Sequence, residues 1–361
     1  MESLSLRRLN LLKNHISAPA TSITIVGGAA VDVLARTKEM ARKNNSNIGF
    51  VEIKYGGVSR NVAECITRLG YGKGLKFITS IGKGDSFGHL LMRSFEELGM
   101  STDGVHHSDQ HPTAVFWAVM NLHGGLEIGV NDMDWLPNLP LEHIQNNRVD
   151  IEESQIVVVD ANMSPEIILE TLKIAINVKW TIWEPVSAEK SKKLLFENIL
   201  PLISILKPND DQFEDLFNLF ASVFDLQISK LHELSPEDQF LYKAEWIFDV
   251  AKKLSQKYKC QNKLRYLVVT WGSEGVKLVW RDALRNIHFR VKKLANIKSA
   301  NGAGDSFHGG FITGLMHYKE KDEVALLSQA IKLGSRCSAL TIMSTENISH
   351  EITSSLLNTS I

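Results

Sequence analysis

The stretch SANGAGDSFHGGF, residues 299–311, sets Gly302, Ala303 and Gly304 directly before an acid, Asp305, and then runs on with helical spacing. Phe307, Phe311 and Leu315 recur every fourth residue, which is one face of a helix. Glycines turn a chain and aspartate suits a first helical turn, so the stretch has a purely structural account. It also has a chemical one. Backbone N–H groups at a helix start lack helical acceptors and sit at the positive end of the dipole, where anions bind. The amides of Gly302, Ala303 and Gly304 would face an oxyanion there, such as the charge that grows on a phosphoryl group in transit. Asp305, beside them, is a carboxylate able to take a proton from an attacking hydroxyl. Four specified residues in a row arise by chance in roughly one chain in a hundred of this length. The surrounding sequence has to decide between the two accounts.

Outward from this stretch, strands and helices alternate. SQIVVVD, WTIWEP, LISILKPN, RYLVVTWG and VKLVW read as strands; PEIILETLKIAI, SAEKSKKLL, much of 209–257 and most of 304–343 read as helices. Such alternation predicts a mostly parallel sheet covered on both faces. Upstream, SITIVGG (22–28) reads as a short buried strand, and LKFITSIG as another before the helix SFGHLLMRSFEELG. Val62, Cys65, Ile66 and Leu69 form one helical face that Gly70 closes. The strands near 49–57 and 114–130 break the rhythm and predict a small antiparallel sheet beside the main one, a lid.

Bulk properties remove several classes of function. The 361 residues carry 40 Lys+Arg against 41 Asp+Glu, so no general polyanion surface is expected and nucleic acid is not the main ligand. Cys65, Cys260 and Cys337 show no C-x-x-C spacing, which speaks against a disulfide framework and for a reducing compartment. No apolar run reaches the length of a membrane span. MESLSLRRLNLLKNHISAPATS, at the start, has Glu2 as its only acid; it reads either as a weak organelle-targeting peptide or as an ordinary extension. The cytoplasm is the expected location, with the mitochondrion as the alternative.

Absent motifs exclude more. There is no G-x-x-x-x-G-K-[ST], no H-R-D or D-F-G set and no G-x-S-x-G, and GGAAVD fails the G-x-G-x-x-G spacing. His106, His107 and His111 in HHSDQH sit in a polar connection without a completing ligand pair, so a solvated loop is expected there and no metal ligand is assigned.

Three further patterns accompany the opening stretch. TWGSEG sets Thr270, Gly272 and Gly275 in a tight turn after a strand. In YGGVSRN, Gly56 and Gly57 end a strand where a ligand could approach the backbone, and Asn61 lies on the first turn of a helix with a donor and an acceptor for hydroxyls. Asp32, after the first strand, is an acceptor suited to a sugar diol. Each alone has a structural account; together they describe a polyhydroxy substrate on one side and a nucleotide on the other.

With these residues in hand, the chain resembles the ribokinase-like (PfkB) family of carbohydrate and nucleoside kinases over about residues 22–350. The resemblance implies an α/β fold with a mostly parallel central sheet, helices on both faces and a small β lid. It implies one kinase domain over 22–350, between an N-terminal extension (1–21) and a C-terminal tail (351–361). It puts the catalytic base on Asp305 and the anion hole on Gly302, Ala303 and Gly304. The sugar side falls on Asp32, Gly56, Gly57 and Asn61, and the nucleotide side on Thr270, Gly272, Gly275 and Asn209. Within the family the chain is most similar to the pseudouridine kinases, in GGAAVD, YGGVSRNVAECITRLG, PTAVFWAVMNLHGGLEIGVNDMD and WEPVSAEKS. That implies ATP-dependent phosphorylation of a nucleoside 5′-hydroxyl with Mg²⁺, and no nucleic-acid or membrane partner; a homodimer is left open. A sugar or nucleoside kinase of the ribokinase or adenosine kinase type is the alternative, and a non-catalytic nucleoside-binding relative the third reading. Two departures stand out. Gln212 replaces the glutamate of the family's N-x-x-E element, for which Asp211 or Glu214 could substitute. Ser299, Ala300 and Asn301 replace the Asp-Thr that accompanies a monovalent-cation (K⁺) site in many relatives, so that site is uncertain.

Overall fold

The computed structural model describes residues 21–42, 44–121, 125–136, 139–224 and 231–358. Residues 1–20 of the expected extension, the last three residues of the expected tail and residues 122–124 of the expected lid segment 114–130 lie outside them. The strands are β1 (Ile23–Val26), β2 (Ala30–Thr37), β3 (Gly49–Gly56), β4 (Leu75–Gly82), β5 (Val105–Ser108), β6 (Ala114–Met120), β7 (Leu126–Asp132), β8 (Ile156–Asp160), β9 (Trp180–Glu184), β10 (Ile205–Leu206), β11 (Tyr266–Thr270), β12 (Val276–Trp280) and β13 (Arg285–Phe289). The longer helices are α1 (Val58–Ile66), α2 (Ser86–Leu98), α3 (Pro165–Ile174), α4 (Asp210–Val223), α5 (Pro236–Tyr258), α6 (Ala303–His317) and α7 (Glu323–Ile342).

A nine-stranded sheet runs in the order β13-β12-β11-β10-β9-β8-β1-β4-β5. It is parallel except where β12 pairs with β11 and with β13. Strands buried on both faces must be apolar at successive positions, as IVVVD in β8 is. Alternate residues then feed two cores. Val157 and Val159 enter the layer under α3, α4 and α5, while Ile156 and Val158 enter the layer under α1, α2, α6 and α7. Local signals set the helix ends. Ser164 caps α3 ahead of Pro165, and Gly99 closes α2 in the left-handed conformation. Helices α6 and α7 lie with backbones nearly touching, since a Cβ on Gly310 would fall 2.9 Å from the Gly334 Cα and one on Gly314 would fall 2.5 Å from the Ala330 Cα.

The chain leaves β1 for β4 and β5 on one side and resumes with β8 on the other. A crevice therefore opens at the carboxyl ends of β1 and β8, where open α/β sheets bind ligands. The second sheet, β3-β2-β6-β7, comes from the connections on either side of this crevice. Its β2–β3 and β6–β7 pairings are antiparallel and its central β2–β6 pairing is parallel, so it is mixed rather than wholly antiparallel.

Several strands depart from expectation. Asp32 follows the first strand as expected and lies within a second one, β2, whose polar Asp32 and Arg36 interrupt the apolar pattern. The connection at 106–111 begins as the edge strand β5, with Val105 and Ser108 buried. β13 (RNIHF) is half-exposed and carries too little apolar signal to be read from sequence. The strand expected over LISILKPN shrinks to Ile205–Leu206, because Ile199–Leu202 closes a helical turn.

Candidate active site

Helix α6 starts from Gly302, whose φ of 71° lies in the left-handed region; a side chain there would overlap the Asn347 carbonyl oxygen. The turn uses part of its own hydrogen bonding. The Ala303 amide donates to Ala300 O at 3.3 Å and the Ser306 amide to Gly302 O at 2.8 Å. That narrows the expected anion hole, because Ala303 is engaged and the first-turn amides without a helical acceptor are those of Gly304 and Asp305. A Cβ on Gly304 would meet nothing within 4 Å, so a ligand has room at this point.

Asp305 follows in the same turn. Asn61, on α1, donates through Nδ2 to Asp305 Oδ2 at 2.8 Å, joining the sugar-side loop to the helix start. Burial pushes the Asp305 carboxyl up to about 7; Asn61 and Lys207 oppose the rise, while Glu184 and Asp160 add to it. Behind it sits a buried charged cluster. Glu184 Oε2, at the end of β9, lies 2.9 Å from Lys207 Nζ and 2.9 Å from His308 Nδ1, one turn beyond Asp305 on α6. Burial works against the Glu184 charge, but Lys207 and His308 outweigh it and hold the carboxyl down to about 2. Burial also lowers the His308 pKa.

Sequence reasoning missed Asp160, at the end of β8. It accepts from Ser59 Oγ at 2.5 Å, from the Gly28 amide at 2.9 Å and from the Asn162 amide at 2.8 Å, and burial raises its pKa. These bonds fix the Gly27–Gly28 turn at the mouth of the crevice. Glu184 and Asp160 shared a legible signal, since each is an acid closing an apolar parallel strand at the sheet's ligand-binding edge.

The sugar-side residues come together. The Asp32 carboxylate lies against Gly56, where a Cβ would fall 2.5 Å from Asp32 Oδ2. Gly57 has φ 93° and caps α1, and a Cβ there would fall 2.6 Å from Gly28 O. Burial raises the Asp32 pKa; Arg60, Asn347 and Lys54 oppose it.

The nucleotide-side residues share one cleft of about 450 Å³, lined by Asn209, Asp210, Thr270, Gly272 and Gly275 together with Ala303 and Gly304 of the turn. Gln212 here has a structural task. Its Oε1 accepts from the Asn209 amide at 2.9 Å and its amide donates to Asn209 Oδ1 at 2.7 Å, a capping box that starts α4. Glu214 pairs with Lys243 at 2.5 Å on the α4–α5 contact, so the acid of this element that lines the cleft is Asp210. The histidines of 106–111 do not gather. His106 faces the His143 ring, and His111 stacks on Trp135 with centroids 5.8 Å apart.

Residues 20–353 match the model of the pfkB family carbohydrate kinases. Among curated relatives, a pseudouridine kinase of Arabidopsis thaliana is 28% identical over 70% of this chain, and the aligned stretch spans 64% of that protein's length. A pseudouridine kinase of Escherichia coli is 25% identical over 80% of this chain and 82% of its own. A guanosine-inosine kinase of Exiguobacterium acetylicum is 23% identical over 90% of this chain and 95% of its own. The solved structure of Arabidopsis thaliana ribokinase complexed with ribose and ATP superposes with a TM-score of 0.70 at 17% identity, covering 95% of this chain and 100% of that one, a likeness of fold. The family match runs through every element that builds the crevice, from β1 to the connection after α7, and the chain therefore belongs to the pfkB family of carbohydrate kinases.

Proposed function

We propose that the chain transfers the γ-phosphoryl group of ATP to the 5′-hydroxyl of a nucleoside, pseudouridine in the first place. The observation that carries the reading is the Asn61–Asp305 hydrogen bond, which joins helix α1 to the turn whose Ala303 and Gly304 line the cleft of about 450 Å³. That the ribokinase of the same fold was solved with both ribose and ATP supports a reading with two substrates. The similarity to two pseudouridine kinases supports the choice of nucleoside.

In the proposed mechanism the nucleoside hydroxyls meet Asp32 and Asn61 under the lid, and the reacting hydroxyl meets Asp305. A carboxyl with a pKa of about 7 is half ionised near neutrality, where a general base works well. The Gly304 and Asp305 amides donate to the phosphoryl oxygens as charge develops on them. Among the described residues no three His, Cys, Asp or Glu side chains cluster as metal ligands, but Asp210 lines the nucleotide cleft as a single carboxylate. Such a donor set fits Mg²⁺, which takes one or two carboxylates and completes its shell with phosphates and water. When bound, it neutralises phosphate charge. The β2/β3/β6/β7 sheet excludes water from the acceptor.

A guanosine or inosine kinase is the second reading, favoured by the near-full-length similarity to the guanosine-inosine kinase. ADP release measured with pseudouridine, uridine, guanosine, inosine, adenosine and ribose separates the two. Pseudouridine is expected to lead every other acceptor by at least about tenfold in kcat/KM, since a site that hydrogen-bonds its additional ring N–H leaves its own acceptor unpaired with uridine. Equal efficiency with a purine nucleoside or ribose would contradict the pseudouridine assignment and leave the kinase chemistry standing.

A further inference from the structure

Asn347 belongs to no motif and lies in the connection after α7, yet it touches both halves of the crevice. Its Nδ2 donates to the Tyr55 carbonyl of β3 at 2.9 Å, and its side chain faces the Asp32 carboxylate of β2. Its own carbonyl lies so close to Gly302 that only a glycine fits there. The same connection is tied to α6 and its approach. The Ser349 amide donates to Thr341 Oγ1 at 3.2 Å, and that oxygen lies 2.6 Å from Ser306 Oγ, the residue after Asp305. The Lys298 amide donates to Ile342 O at 2.9 Å. From the lid side, Lys54 Nζ reaches Thr345 O at 2.6 Å.

We propose that Asn347 is a positioning residue that registers the acceptor-binding acid Asp32 and the lid strands against the glycine turn of α6. The proposal rests on the reading of Asp32 as a hydroxyl-binding group. An asparagine suits the task because its amide carries two N–H donors, one bonded to the Tyr55 carbonyl and a second left for the carboxylate that its side chain faces. The register matters chemically: an acceptor held by Asp32 must bring its reacting hydroxyl to Asp305, and a small misplacement costs rate steeply. Asn347→Ala leaves both acceptors without this donor. Asn347→Asp keeps the shape but sets a second carboxylate against Asp32, so that one of the two has to hold a proton. The other charges facing Asp32 are Arg60 of α1, paired with Glu64, and Lys54 of β3, beside Glu52; Arg68, Glu346 and His350 line the same cavity as Asn347.

Steady-state kinetics of the full chain test this, using the acceptor that the wild type phosphorylates best. Asn347→Ala is expected to raise the acceptor KM about tenfold while the ATP KM stays within about twofold. Asn347→Asp is expected to show the same acceptor defect near about pH 8 and to recover much of it near about pH 6, where the carboxylate pair shares a proton. An acceptor KM unchanged in both variants, equal changes in both KM values, or a defect in Asn347→Asp that ignores pH would overturn the proposal. A wild type that phosphorylates no acceptor overturns the functional reading, and this one with it.

Discussion

A carboxylate that accepts a proton from an alcohol at neutral pH needs an environment that holds its own proton until about that pH, and Asp305 has one. Its elevation to about 7 comes first from burial, with the Asn61 hydrogen bond and Lys207 as the restraints. The expected consequence is a pH profile in which log kcat/KM rises with unit slope up to about pH 7 and then levels; a level profile from pH 5.5 upward would remove Asp305 from the base role. Stability carries the opposite sign. The folded chain holds the Asp305 proton between its ordinary value of 3.8 and about 7, where the unfolded chain releases it. Folding is therefore weakened as pH rises through that interval, and Asp305→Asn removes the penalty. Thermal melts should show the variant more stable than wild type near about pH 8, with the gain gone near about pH 4; the reverse order would show that the carboxylate is not under strain. Asp305 and Asn61 were legible as residue types in motifs. Their mutual hydrogen bond was not, because 244 residues separate them. Asn347 was invisible for a related reason: it acts through a carbonyl and an amide that any connection could supply, and only the folded chain shows what they meet.

At the scale of the element, α6 joins two demands in one sequence. Its first turn has to leave amides free, and its body has to lie against α7, which is why glycines occupy both the start and the contact face. The two roles separate by mutation. Gly304 borders open space in the cleft, so Gly304→Val is expected to keep a melting temperature within a few degrees of wild type while losing on the order of a hundredfold in kcat, by crowding the phosphoryl position. Normal turnover in a folded Gly304→Val would contradict the anion-site account. The helices and the buried parallel strands were readable because their periodicity and caps are local. The strands β2, β5 and β13 were not, since a polar or half-exposed strand is defined by its neighbours' hydrogen bonds and its own residues alternate too weakly. The parallel β2–β6 pairing is likewise a property of two segments more than seventy residues apart.

Across the whole molecule, the reversal of strand order at β1 opens the crevice, and the lid strands leave the chain on either side of that point. The motifs proposed for the sugar side and the nucleotide side follow one another in sequence. Their convergence on the start of α6 is a product of the sheet. Among the described residues no helix is long and apolar enough to cross a membrane.

The central claim is that Asp305 activates an alcohol for phosphoryl transfer from ATP. A single-turnover assay with γ-labelled ATP and the preferred nucleoside, comparing wild type with Asp305→Asn while nucleotide and nucleoside binding are measured in parallel, tests it most directly. The account predicts label on the nucleoside with the wild type, binding preserved in the variant, and transfer slowed by about 10²–10⁴. Transfer within a few-fold of wild type by a variant that binds both substrates would contradict it.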